Sequence, residues 1–149
     1  MSFSHYPTDE FIRQAKEIKK VYPSFGDDLK QMRKDIEKLS SFKNQPHIDD
    51  LGSGLFKYRL EITDKPTSKS YGARIIFFFL SEDNELWYLT CYDKSDAADL
   101  SPSGKKEIKK IITEISATSP REKRLSSFGY RKLAPKREPA GSKSQKRKR

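Results

Sequence analysis

A chain of 149 residues has room for one domain with a modest core. With 34% apolar and 35% charged residues, it is polar for a globular domain, and no run approaches the roughly 18 to 20 apolar residues of a membrane helix. The net charge of +10 is unevenly placed: residues 117–149 hold twelve Lys/Arg and two Asp/Glu, whereas residues 1–116 hold nineteen of each.

Two parts are therefore expected. Residues 1–116 form a neutral globular domain. Residues 117–149 form a basic tail, too poor in apolar groups to fold alone and expected to be disordered. Cys91 is the only cysteine, so no intramolecular disulfide can form, and its apolar surroundings predict a buried core thiol. The first thirty residues carry no secretory-type apolar stretch. A cytoplasmic protein with no membrane contact is the expectation.

In chain order, Ser2 to Tyr6 predicts a short first strand. Pro7-Thr8-Asp9-Glu10 opens a helix, with Thr8 as cap and two acids in the first turn. Phe11, Ala15, Ile18 and Tyr22 give that helix an apolar stripe, and Pro23 ends it. A second helix opens near Asp27-Asp28 and places Leu29, Met32, Ile36 and Leu39 on one face. The short link around Pro23-Ser24-Phe25-Gly26 predicts an antiparallel helical hairpin.

Leu51-Gly52-Ser53-Gly54 is expected to be a turn. From Leu55 to Ile62, Phe56, Tyr58, Leu60 and Ile62 alternate with Lys57, Arg59 and Glu61, as in a strand with one buried face. Next come two apolar strands, Ile75 to Leu80 and Leu86 to Tyr92, joined by Ser81-Glu82-Asp83-Asn84 as an antiparallel hairpin. Lys69 and Arg74 enter the first of these strands and Lys94 leaves the second. In a hairpin, the start of one strand lies beside the end of the other, which brings Arg74 near Tyr92 and Lys94. Ser101-Pro102 opens a last helix striped by Ile108, Ile111, Ile112 and Ile115. The expected order is β-α-α-β-β-β-α. The expected fold is α+β: a small twisted antiparallel sheet, the helical hairpin on one face and a C-terminal helix.

Common enzyme constellations are absent from the sequence. It has no glycine-rich phosphate loop, no cysteine pair for zinc and no nucleophile elbow, and His5 and His47 are expected to be structural or superficial. The cations offer more. Lys57 and Arg59 are two residues apart on one strand and so share a face. Arginine can hold a phosphate through two parallel hydrogen bonds, and lysine adds a point charge. RNA brings its own nucleophile, the 2′-hydroxyl. A protein can cleave it without a metal by orienting that hydroxyl, stabilising the charged transition state and handling protons. On pattern alone, outward cations on a half-exposed strand read equally well as its solvated face.

Four segments carry a resemblance: the helical hairpin with Tyr22-Pro23-Ser24; Gly54-Leu55-Phe56-Lys57-Tyr58-Arg59; Lys69-Ser70-Tyr71-Gly72-Ala73-Arg74-Ile75-Ile76; and Leu89-Thr90-Cys91-Tyr92-Asp93-Lys94-Ser95 before Leu100-Ser101. In order and spacing, residues 3–116 resemble the RelE/ParE superfamily of toxin–antitoxin toxins, and within it the RelE/HigB-like group that cleaves messenger RNA. The resemblance implies a RelE-like fold and the toxin of a type II toxin–antitoxin pair. It implies a metal-independent, cofactor-free endoribonuclease that cuts messenger RNA on the ribosome. The implied partners are a cognate antitoxin, messenger RNA with the ribosome and its RNA, and operator DNA reached through the antitoxin.

Residue by residue, the resemblance implies that Lys57 and Arg59 match the family's basic pair and that Arg74 matches its phosphate-binding arginine. Lys94 falls in the basic position after the last strand, and Lys69 matches a basic residue common in the HigB-like loop. Two positions depart from the pattern. Where some relatives carry a catalytic tyrosine near the last helix, this chain reads Asp99-Leu100-Ser101, and Tyr71 stands where relatives often have a second glycine. Tyr92 is a candidate for the missing hydroxyl and Tyr71 for stacking on a base, so the general base stays open. Lys143, Lys146, Arg147, Lys148 and Arg149 would add salt-sensitive attraction to RNA. The alternatives are a ParE-like gyrase poison and a non-catalytic module that binds RNA or a protein partner on the same fold.

Overall fold

A computed structural model describes residues 2–65, 72–95 and 100–117. Lys69, Tyr71 and the tail cations Lys143, Lys146, Arg147, Lys148 and Arg149 lie outside the described residues.

The elements run β1 (Ser4–Pro7), α1 (Asp9–Val21), α2 (Phe25–Glu37), β2 (Ile48–Gly52), β3 (Leu55–Leu60), β4 (Ala73–Leu80), β5 (Glu85–Asp93) and α3 (Pro102–Ala117). The Thr8 hydroxyl accepts the Phe11 N–H at 3.3 Å and caps α1. Ser101 caps α3 through the Gly104 N–H at 3.1 Å, with Pro102 in the first helical position. The β4–β5 hairpin turns through Ser81–Asp83 and a left-handed Asn84, the four-residue connection expected from the sequence.

The fold is α+β, as expected, with two differences in the sheet. Its order is β1-β5-β4-β3-β2, and β1 pairs with β5 in parallel, so the sheet is mixed rather than wholly antiparallel. Residues 48–52 form an additional strand, β2, making the order β-α-α-β-β-β-β-α. Leu51 and Gly52 therefore belong to a strand, and the turn narrows to Ser53-Gly54. Both turn residues have positive φ, 56° and 83°, the geometry that matches a two-residue hairpin to strand twist. A Cβ on Gly54 would also lie 2.9 Å from the Phe79 carbonyl oxygen.

Two apolar layers sandwich the sheet. The α1–α2 hairpin shares one with Phe56, Tyr58, Ile75, Phe77, Leu86, Tyr88 and Cys91. On the other face, Ile108 and Ile115 of α3 join Tyr6, Ile76, Phe78, Leu80, Trp87 and Leu89. The alternation of β3 and β4 thus serves two cores, and α3 packs on the face opposite the helical hairpin.

Candidate functional site

Strand register assembles the site. Arg59 of β3 pairs with Arg74 of β4, and Arg74 pairs with Tyr92 of β5. These three side chains form a row across three neighbouring strands, with Cβ atoms roughly 5 Å apart at each step. They belong to the α3 face, as Ile76 and Phe78 do two and four residues beyond Arg74. Lys57 precedes Arg59 by two residues on the same face and is paired in register with Asp49 of β2. Lys94 follows β5, and its N–H donates to the Gly72 carbonyl at 2.9 Å. Five candidates from the sequence, Lys57, Arg59, Arg74, Tyr92 and Lys94, are therefore brought to one end of the sheet.

Burial is graded along the row. Arg59, Tyr92, Lys57 and Lys94 are half-buried, but Arg74 is only 6% exposed. Arg74 stands near the start of its strand, as the sequence predicts, but β4 is the central strand, and β3 and β5 flank the side chain on both sides. Burial lowers the pKa of its guanidinium. The neighbouring Arg59 adds to this, while Tyr92 and Asp49 oppose it. Arg59 is aimed by its surroundings: its Nη2 donates to the Pro46 carbonyl at 2.5 Å and lies 3.4 Å from Asp49 Oδ1. Two guanidiniums in directly paired positions repel each other. An anion between them would remove that repulsion, and a phosphate offers oxygens to both.

Gly72 sets the approach of the strands. A Cβ there would stand 2.2 Å from the Leu60 carbonyl oxygen, so β3 and β4 close around the row only with glycine at this position.

Sequence reasoning missed three contributors. Asp49 lies on the unexpected β2 and orients Arg59. Gln14 of α1 accepts the Cys91 N–H at 3.0 Å and the Thr90 hydroxyl, fixing β5 just before Tyr92. Lys65 forms a buried ion pair with Asp93, Nζ to Oδ1 2.5 Å. Nothing local in the sequence marks any of them, because each depends on a partner distant in the chain.

Cys91, the His5–Tyr88–Glu37 network and His47 serve packing. Burial pushes the Cys91 thiol up to about 12, which suits a core residue and not a nucleophile. His5 Nδ1 lies 2.7 Å from the Tyr88 hydroxyl and its Nε2 2.7 Å from Glu37 Oε2. Burial lowers the His5 pKa, with the Glu37 hydrogen bond opposing, and raises that of Tyr88. The network therefore assigns Tyr88 as donor to a neutral His5, which donates in turn to Glu37. His47 packs edge-on to Tyr58, centroid to centroid 4.8 Å. Among the described residues, no helix is long and apolar enough to cross a membrane.

A family model described as "RelE toxin of RelE / RelB toxin-antitoxin system" matches residues 26–132. The match takes in every member of the cation row and extends beyond Ala117 into the basic segment.

Proposed function

The chain belongs to the RelE toxin family, the toxin half of a toxin–antitoxin system whose partner is an antitoxin, and from that premise we propose that it is a metal-independent endoribonuclease acting on messenger RNA at the ribosome. The paired register Arg59–Arg74–Tyr92 carries this reading: two guanidiniums and a phenol in one row across three strands. Arg74 and Arg59 would hold the non-bridging oxygens of the scissile phosphate. Lys57 and Lys94 would add charge where the transition state becomes more negative. Tyr92, level with Arg74, would handle protons as the aromatic hydroxyl among the described residues of the row.

In the reaction, the 2′-oxygen attacks phosphorus and gives up its proton to a base. The bond to the 5′-oxygen breaks, and that oxygen takes a proton. The products are a 2′,3′-cyclic phosphate and a 5′-hydroxyl. The pentavalent transition state carries more charge on its equatorial oxygens than the substrate does, so donors fixed in advance favour it over the ground state. The proposal keeps the division into a catalytic domain, residues 1–116, and a basic segment, 117–149, that adds affinity for RNA through Lys143, Lys146, Arg147, Lys148 and Arg149. Lys69 and Tyr71 retain their proposed contacts to RNA.

Primer extension on a reporter transcript after induction tests this reading. New 5′ ends within the translated region are expected, and Arg74→Ala should reduce them on the order of 10²-fold or more. Intact transcripts accompanied by double-strand breaks trapped on gyrase would replace the reading with the ParE-like one.

A further inference from the structure

Lys65 does not belong to the cation row. It lies on the opposite side of β5, because Asp93, its partner, alternates with Tyr92 along the strand. Its ammonium nevertheless reaches both neighbours of Lys94. Nζ donates to Asp93 Oδ1 at 2.5 Å and to Ser95 Oγ at 2.5 Å. The Ser95 N–H closes the same knot by donating to Asp93 Oδ1 at 2.9 Å. Between these two residues, the Lys94 N–H is bonded to the Gly72 carbonyl, next to the strand that carries Arg74. The turn that carries Lys94 is therefore fixed on three sides.

Lys65 is itself held from behind. Its N–H donates to the Ile62 carbonyl at 3.0 Å, closing a turn just after β3. The preceding residues are tied to the start of α2. Asp28 accepts the Thr63 N–H at 2.9 Å and the Thr63 hydroxyl at 2.5 Å. Ser24 and Asp64 exchange backbone-to-side-chain bonds of 2.7 and 2.9 Å. The Tyr22 ring lies beneath the ammonium, 5.7 Å from its centroid. A continuous run of polar contacts thus leads from the helical hairpin, through Lys65, to the end of β5.

We infer that Lys65 is a positioning residue for the cation row, its ammonium holding Asp93 and Ser95 so that Tyr92 and Lys94 keep their spacing from Arg74. The geometry stands without the endoribonuclease reading; the consequence for catalysis rests on it. Stability alone is a poor reason for such a pair. Two apolar residues of similar volume commonly hold a buried site as firmly as an ion pair does. They would not provide a point contact to both sides of Lys94.

Lys65→Met alone strands the Asp93 carboxylate and risks unfolding. The informative variant is Lys65→Met/Asp93→Asn in the full chain, which removes both charges and leaves the Ser95 N–H an acceptor. Backbone hydrogen exchange should speed up at least tenfold at the Lys94 and Ser95 amides, while the mid-strand Ile75 and Cys91 amides stay protected. Turnover of ribosome-bound messenger RNA should fall about tenfold to a hundredfold at unchanged KM, the result of misplacing groups that act in the transition state. Should the double variant fail to fold, Lys65→Arg keeps the charge but replaces a point donor with a planar fork. It should show the same pattern to a smaller degree. Unaltered exchange at Lys94 in the folded variant overturns the clamp, whatever the enzyme does. Faster exchange with unaltered turnover overturns the positioning role. A wild-type chain that cuts no RNA defeats the endoribonuclease reading instead, and exchange at Lys94 then decides the clamp.

Discussion

Lys65 and Arg74 stand at the same end of the sheet, on opposite faces, with exposures of 8% and 6%. Both are cations withdrawn from water, yet their neighbours differ. Lys65 faces a carboxylate and a hydroxyl, each 2.5 Å away. The paired positions on either side of Arg74 carry another guanidinium and a phenol. Lys65 meets a carboxylate directly. Arg74 has a like charge as its cross-strand neighbour on one side, and an anion shared by the two guanidiniums would offset that repulsion. The difference separates a structural cation from a candidate ligand-binding one more clearly than burial does.

The largest expected effect tests the structural half of this contrast. Lys65→Met leaves Asp93 buried without its cation and should lower stability by about 3–5 kcal/mol, read from urea midpoints at pH 7. Arg74→Ala should behave in the opposite way. Relief of the repulsion from Arg59 works against the loss of its stem and its other contacts, so stability should fall by less than in Lys65→Met. Cleavage should fall on the order of 10²-fold or more, the usual effect of removing one transition-state donor. A heavy stability loss in Arg74→Ala with cleavage intact would make Arg74 structural and dissolve the contrast.

The sequence makes some of this arrangement visible and hides the rest for identifiable reasons. The period-2 pattern from Leu55 to Ile62 puts Lys57 and Arg59 together, and the short Ser81–Asn84 connection makes Arg74 a neighbour of Tyr92. Both inferences need only local geometry. Strand β2 is obscure because Ile48-Asp49-Asp50-Leu51 lacks alternation: it is an edge strand with acids on it, and only Ile48 is buried. The parallel β1–β5 pairing is a long-range contact without a local sign. Lys65 lies in Thr63-Asp64-Lys65-Pro66 and reads as a solvated loop residue until Asp93 and Tyr22 are placed around it. The burial of Arg74 is hidden in the same way, since a lone cation entering a strand usually points to water.

A third class of cation sharpens the contrast further. The twelve Lys/Arg of residues 117–149 account for the whole net charge of +10. Their expected contribution is long-range attraction rather than bond breaking. Truncation after Ala117 should weaken ribosome cosedimentation about tenfold at 0.15 M salt and flatten its salt dependence, while the cleavage sites stay the same. A shift in which bonds are cut would move these residues into the site. Cosedimentation unaltered at every salt concentration would leave them without a binding role.

His5 supplies the smallest test, on a group that can gain or lose its charge near neutral pH. Its folded-state pKa is lowered, first by burial, with the Glu37 hydrogen bond and charge opposing and Arg33 adding to the depression. The imidazole is thus neutral in the fold and accepts from Tyr88. The unfolded chain binds a proton more readily, with an ordinary histidine pKa of about 6.5. Stability from this source is therefore complete above about pH 6.5 and is lost as pH falls from there towards the depressed folded value. A single proton limits the slope to about 1.4 kcal/mol per pH unit. Urea midpoints between pH 5 and pH 8 should show this decline in wild type, and His5→Gln should flatten it. The variant should be less stable at pH 8, because glutamine cannot bridge Tyr88 and Glu37 in the same geometry. Cleavage measured at pH 8 should not change, because His5 lies on the hairpin side with Tyr88 and Glu37, away from the Arg59–Arg74–Tyr92 row. If His5→Gln instead shifted the pH profile of cleavage, the two faces of the sheet would be coupled through β5, and the division between structural and ligand-binding charge would have to be redrawn along that strand.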